Sequence, residues 1–447
     1  MTVRRDFINR FFSICFAVLA ATMFMSINHS AYAAIDKETS KNGVKQFQLY
    51  ATDGYLTLPD GEKVYIWGYS LENKQGTAVY PAPTLEVEEG DQVEVKLTNI
   101  GPAKAGIKRV AHSIHWHGLD TDQANDGVPQ TAPAIQTGES FTYRFTATQA
   151  GTYFYHCHVD TIEHLQMGMH GSFIVHAKEG KNQAWSGGPA YDKEYVFHLN
   201  EIDPSWHKAV EEGKPYDRTQ FYPRYWTING KAFPDTMKDP ATKIEGKVGE
   251  TVLIRLINAG YEEHPFHMHG QHFQVIATDG RPLPAPIEKD TINIGPGERY
   301  DLLVTFTQNG EYPFHSHKII DNTNNGVYPG GMHTMITIGG ADSDPVDRKQ
   351  TKPAELQASG TIATADGGLI SIEQSAFSLK EMKIERGTKV TWINNDNQIH
   401  TVTELNNQFD SGNILVGERW SYTFETAGTS TYYCATHPSM EAKVIVE

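Results

Sequence analysis

The sequence predicts an all-β protein made of three Greek-key β-sandwiches, and two repeated patterns carry that expectation. The first is a strand pair joined at a Gly turn. It occurs three times, over residues 85–95 around Gly90, 244–254 around Gly249 and 382–392 around Gly387. Apolar and polar residues alternate along each copy, the period of a strand with one buried face. Each copy runs into a polar turn around Asn99, Asn258 or Asn395, then into a His-bearing segment at 112–117, 264–269 or His400. The second pattern is a closing strand pair. It runs from Gly138 through Phe145 to Cys157, from Gly297 through Phe306 to Ser316, and from Gly417 through Phe424 to Cys434. Gly138 stands 19 residues before Cys157, Gly297 19 before Ser316 and Gly417 17 before Cys434, so these three residues share one equivalent strand end. Regular turns with little helical periodicity read as sandwiches. They are placed at residues 44–180, 190–341 and 358–447, with a linker rich in Asp, Lys and Pro over 342–357.

Ahead of the first sandwich, residues 1–33 read as an export signal. Arg4 and Arg5 lead into Asp6-Phe7-Ile8, the pattern of a twin-arginine leader. An apolar stretch follows, and Ala31-Tyr32-Ala33 supplies the small residues of a cleavage site. The stretch is short for a bilayer span, which favours cleavage over an uncleaved anchor, and no other segment is apolar enough to cross. The expected location is periplasmic or extracellular, with no membrane span in the mature chain. A net charge of −16 argues against a nucleic-acid partner. Of three cysteines, Cys15 leaves with the signal. A Cys157–Cys434 disulfide is the ordinary reading for an exported protein, but the surroundings of both thiols point to metal instead.

Four His-X-His pairs carry the chemistry: His115-Trp-His117, His156-Cys-His158, His267-Met-His269 and His315-Ser-His317. Residues i and i+2 of a strand point the same way, so each pair offers two imidazoles to one side. Neutral imidazole suits copper. Lone His residues favour a core or surface role, and His29, His170, His176, His198, His207, His272 and His333 are left there; four spaced pairs are not explained that way. The segments 112–118 (His-Ser-Ile-His-Trp-His-Gly), Asp126-Gly-Val-Pro129, 151–158 (Gly-Thr-Tyr-Phe-Tyr-His-Cys-His) and 264–270 (His-Pro-Phe-His-Met-His-Gly) resemble the signature segments of multicopper oxidases. The resemblance covers about residues 50 to 340 and implies cupredoxin-like sandwiches. It implies that His115 and His267 bind a type 2 copper, and that His117, His156, His158, His269, His315 and His317 bind a type 3 pair.

A blue, type 1 site uses two His, a thiolate and a weak axial Met. His112, Cys157, His164 and Met169 supply that set in the first sandwich, with Met167 as the alternative axial residue. Cys157 lies between His156 and His158, so a covalent path joins its sulfur to both type 3 coppers. In the second sandwich Ser316 replaces the Cys, and His264 reads as either a remnant or a proton donor. In the third, His400, Cys434, His437 and Met440 form a second blue set in a short loop similar to amicyanin's. Asp126 resembles the family acid near the type 2 copper and Asp160 an acid beside the type 3 pair; the plain alternative for each is a loop cap.

The resemblance to two-domain laccase-like oxidases, relatives of copper nitrite reductase, implies a donor (a phenol or a metal ion) oxidised at the Cys157 site and O2 reduced to water. It also implies a homotrimer in which the first sandwich of one chain faces the second of the next. The C-terminal sandwich is expected to bring in electrons or to exchange them with a redox protein. In nitrite reductases a catalytic Asp stands three residues after the first type 1 His; here that position is His115, which favours O2 over nitrite.

Overall fold

The computed structural model describes residues 43–180, 182–339, 368–373, 376–396, 398–405 and 408–447. The export signal and the linker lie outside these residues. The regular structure of the described chain is almost entirely strand, in six sheets that pair into three sandwiches. The first sandwich and the second form one compact unit and the third forms another.

In the first sandwich, Val44–Thr57, Lys63–Ser70, Gln92–Asn99 and Ser140–Thr146 make one sheet, with Ala82–Glu88, His115–His117, Gly151–His156 and His170–His176 in the other. Alternate residues of both sheets meet in a core that includes Trp116, Tyr143, Tyr155 and Phe173. The second repeats the plan with larger sheets, six- and five-stranded, around Phe197, Phe266 and Phe314. The third has two four-stranded sheets around Trp392 and Tyr432.

The repeat is visible in single hydrogen bonds. Gly90, Gly249 and Gly387 turn each first strand pair at φ of +88°, +89° and +85°, a region that favours glycine. At the end of each following strand an Asn ties the loops together. Asn99 Nδ2 donates to the carbonyls of Val110 and Ile135, Asn258 Nδ2 to those of Glu262 and Ile294, and Asn394 Nδ2 to those of Gln398 and Ile414. The backbone oxygens of the same three residues accept from Gly138, Gly297 and Gly417. The third member is therefore Asn394 and not the adjacent Asn395, whose side chain instead reaches Ser371 Oγ at 2.8 Å.

The first two sandwiches are joined by a small apolar contact of Phe154 and Ile174 with Ile257 and Ala259. Beside it lies a buried polar knot. Arg255 donates to Asp301 (3.2 Å) and Thr152 Oγ1 (3.0 Å) and pairs with Glu194. Thr152 belongs to the strand that ends at His156, so the knot fixes that strand against the second sandwich. Among the described residues no helix is long and apolar enough to cross a membrane.

Candidate metal centres

Strand Gly151–His156 pairs with His115–His117 so that His156 faces His115. The chain then turns Cys157 into the sandwich while His156 and His158 stay on the other side. Cys157 Sγ lies 3.1 Å from His164 Nδ1 and 3.9 Å from His112 Nδ1, and the three donor atoms fall within 4.8 Å of one another. His164 arrives on the short helix Thr161–His164. The Cys157 amide donates to the Met169 carbonyl at 3.0 Å, which holds the predicted axial residue next to the sulfur. Met169 and Met167 are both buried; the Met167 carbonyl is engaged by the Trp67 amide. Burial pushes the Cys157 thiol up to about 11 and brings His164 down to about 4. It also holds His112 well below the usual imidazole range. Both rings are thus neutral with free lone pairs, and the thiol gives up its proton when a metal takes its place. This donor set fits copper, with soft sulfur and two imidazoles in a closed site.

Behind the sulfur, the His115 ring meets those of His117, His156 and His158 at 5.7, 5.1 and 5.3 Å. His117 and His156 are held down to about 3 by burial. The first sandwich therefore gathers four rings, of which His117 and His156 are held neutral by burial. His115 Nδ1 faces the Asp126 carbonyl at 2.8 Å, which leaves Nε2 for a metal, and the Asp126 carboxylate lies 3.4 Å from the same ring nitrogen. Asp160 is arranged differently. It starts the helix that bears His164 but makes no cap bond with its side chain; both its oxygens accept from Arg218, at 3.0 and 2.9 Å. Arg218 also holds Glu163.

The second sandwich gathers the other four rings, His267 meeting His269, His315 and His317 at 4.7, 6.1 and 5.6 Å. Among the described residues no hydrogen bond or ring contact joins this set to the His115 set. His264 is fully buried. Its Nδ1 is 2.8 Å from Asp321 Oδ2 and its Nε2 3.2 Å from Glu201 Oε2, and Ser316 Oγ donates to the same Asp321 oxygen at 2.6 Å. Burial opposes charge on this ring, but the hydrogen bonds of Asp321 and Glu201 outweigh it and bring His264 up to about 9.

In the third sandwich Cys434 Sγ lies 3.6 Å from both His400 Nδ1 and His437 Nδ1. Met440 is buried in the same core as Cys434. Asp396 backs His400 at 3.0 Å and Gln398 backs His437 at 2.8 Å. Burial raises the Cys434 thiol, yet hydrogen bonds from His400, His437 and Thr436 overcome it and set the thiol near 5. Cys157 and Cys434 are both free.

Three groups escaped sequence reasoning: Glu201, Asp321 and Arg218. A His without its thiolate partner was the available signal for the first two, because a buried imidazole needs something to bond. His333, left as a core residue, stacks on His315 at 5.4 Å.

Comparison with known proteins agrees with this geometry. The multicopper oxidase family is matched over residues 60–180 and again over 194–335. Copper binding proteins of the plastocyanin/azurin family are matched over 369–447. The blue copper oxidase of Nitrosomonas europaea is 34% identical, with a TM-score of 0.56 over 66% of this chain and 86% of that one. The copper nitrite reductase of the same organism is 25% identical (TM-score 0.52, 68% of this chain and 96% of that one). Laccase-15 of Oryza sativa subsp. japonica is 33% identical over 50% of this chain and 37% of its own length. The chain spans less than half the length of such curated relatives. With two successive domains matched and the Nitrosomonas oxidase covered almost throughout, the chain belongs to the multicopper oxidase family.

Proposed function

We propose that this is a laccase-like oxidase that takes single electrons from a phenol or a metal ion and reduces O2 to water. The observation that carries the reading is the strand end at Cys157. Its sulfur stands with His112 and His164, while its two chain neighbours stand with His115 and His117. Copper held there supplies a one-electron acceptor at the sulfur and a multinuclear centre at which O2 takes four electrons and four protons. His112, Cys157, His164 and Met169 hold the blue centre; His115 and His267 hold type 2 copper; His117, His156, His158, His269, His315 and His317 hold the type 3 pair. The backbone from Cys157 to His156 and His158 would link the two centres covalently. Asp126, against His115, delivers protons and fixes that ring.

Eight ligands split evenly between two sandwiches place the cluster where a first sandwich meets a second, either in one chain or between copies. A homotrimer, in which the His115 set of one chain closes on the His267 set of the next, satisfies this. The third sandwich, with His400, Cys434, His437 and Met440, is an electron-entry module whose tethering raises its concentration near the Cys157 centre. Residues 1–33 direct the chain out of the cytoplasm by the twin-arginine route.

The copper-loaded protein should hold about five coppers per chain, two at blue centres and three at the shared cluster. It should consume O2 with a phenol or Fe(II) as donor. A lower copper content with nitrite turnover and no O2 uptake would favour a nitrite reductase. An active copper-loaded monomer in light scattering would remove the trimer.

A further inference from the structure

By spacing, His264 holds the place that His112 holds in the first sandwich, each three residues before its His-X-His pair. Ser316 stands where Cys157 stands. Met332 stands where Met169 stands, because the Ser316 amide donates to the Met332 carbonyl at 3.1 Å as the Cys157 amide does to Met169 at 3.0 Å. Met332 is likewise fully buried. The fourth place differs. His164 is delivered by a helix seven residues after Cys157, whereas Asp321 lies on the turn Ile319–Asn322, five residues after Ser316. Thus two of the four blue-site residue types survive in the second sandwich, and the other two are changed to oxygen groups in place of the thiolate and the second imidazole.

We propose that the cluster His264, Asp321, Glu201 and Ser316 replaces a copper ion as the pin of the second sandwich, and that its members are positioning residues for His315 and His317. This rests on the oxidase reading above. A metal at a blue centre ties together three pieces of chain: the His segment, the strand end and the loop behind it. The cluster ties together the same three. His264 is on strand His264–Met268, Ser316 ends strand Gly310–Ser316, and Asp321 belongs to the turn behind it. It adds a fourth, because Glu201 reaches across from strand Lys193–Ile202 and also accepts the amides of Tyr261 and Glu262. His264, Ser316, Asp321 and Glu201 are all fully buried. Buried charges persist only when paired and hydrogen-bonded; an imidazolium between two carboxylates meets that condition, and the ring's raised affinity for a proton agrees with it. Ser316 lies between His315 and His317, so its bond to Asp321 acts directly on the backbone that orients both. Asn322 Nδ2, from the same turn, adds a 2.6 Å bond to the Ser316 carbonyl.

The test uses the full-length copper-loaded protein and reads spectra as well as turnover. Asp321→Asn and Ser316→Ala should weaken copper binding at the coupled pair by about 10–100-fold, as loss of a ligand's support does. At limiting copper the near-ultraviolet shoulder of that pair disappears while the blue absorbance of Cys157 and Cys434 stays. A wild-type shoulder in both variants overturns the proposal. A wild-type protein that never shows the shoulder overturns the oxidase reading instead. If Asp321→Asn does not fold, the double variant Ser316→Cys with Asp321→His decides. With His264 and Met332 it completes a blue set, so blue absorbance per chain should rise by about half and the shoulder should persist. A folded double variant with no added copper overturns the equivalence on which the proposal stands.

Discussion

Replacing Arg255 by Met tests how the first two sandwiches are held together. The guanidinium is fully buried and faces Glu194 and Asp301, with Thr152 between the two sandwiches. Methionine fills similar space but leaves the partly buried Glu194 and the buried Asp301 without the cation they share. Removing one partner of a buried pair costs about 3–5 kcal/mol, which is a fall of roughly 6–20 °C in the melting temperature of a unit this size. The loss also has a pH signature. Burial raises Glu194, but the charges of Arg255 and His176 outweigh it and hold the acid below its usual value. Asp301 stays above its usual value because burial exceeds what Arg255 and Thr152 return. Without Arg255 both acids rise. A protonated carboxyl needs no cation, so the deficit is full above their shifted pKa values and shrinks as pH falls through them. In the wild type, Glu194's contribution is itself lost as pH falls through its lowered pKa, so the two curves converge in acid. Calorimetry of the copper-free protein at about pH 8 and about pH 5 measures both arms. Equal melting at the higher pH, or a deficit that widens toward acid, would refute this account of the junction.

Three further predictions concern the metal centres. Cys434→Ser should remove one copper per chain and about half of the blue absorbance, slow some donors and spare O2 reduction, whereas Cys157→Ser should abolish turnover; unchanged copper content in either contradicts the ligand assignment. Asp126→Asn should slow O2 reduction by roughly 10–100-fold at full copper content, and a wild-type rate would leave Asp126 a loop residue. Arg218→Ala frees Asp160 and Glu163 beside His164. Partly exposed pairs are worth about 0.2–1 kcal/mol, so KM for Fe(II) or Mn(II) should fall by up to about 5-fold, and no change would mean that metal donors do not approach across this rim.

Much of this was legible in sequence because sandwiches repeat locally. Period-2 alternation, a glycine forced into the left-handed region at Gly90, Gly249 and Gly387, and a fixed distance to the closing strand end are all short-range signals. They were enough to set Cys157, Ser316 and Cys434 in one register. Adjacent polar residues defeated the same reasoning at Asn394 and Asn395, where only the hydrogen bonds decide. Glu201, Asp321 and Arg218 were invisible for another reason. Glu201 comes from the opposite sheet, 63 residues from His264, and Arg218 from a segment 58 residues past Asp160. No spacing rule connects such pairs. Only a buried group's need for a partner does, and that names the need without naming the residue that meets it.

The two blue sets show why ligand identity alone underdetermines such a site. Both place a thiol between two imidazoles, yet burial takes Cys157 up to about 11 while Cys434 is brought to about 5. The difference lies in the hydrogen bonds that reach the sulfur. His400, His437 and Thr436 all bond the Cys434 sulfur, and Cys434 in turn, followed by Asp396 on the far ring nitrogen, raises His400 despite burial. In the first sandwich burial outweighs the charge of Asp160 on His164, and Arg218, which holds both Asp160 oxygens, opposes it further. His112 and His164 stay neutral and the sulfur keeps its proton. The same four ligand types thus start from different thiol acidities, set by how many hydrogen bonds reach the sulfur against its burial.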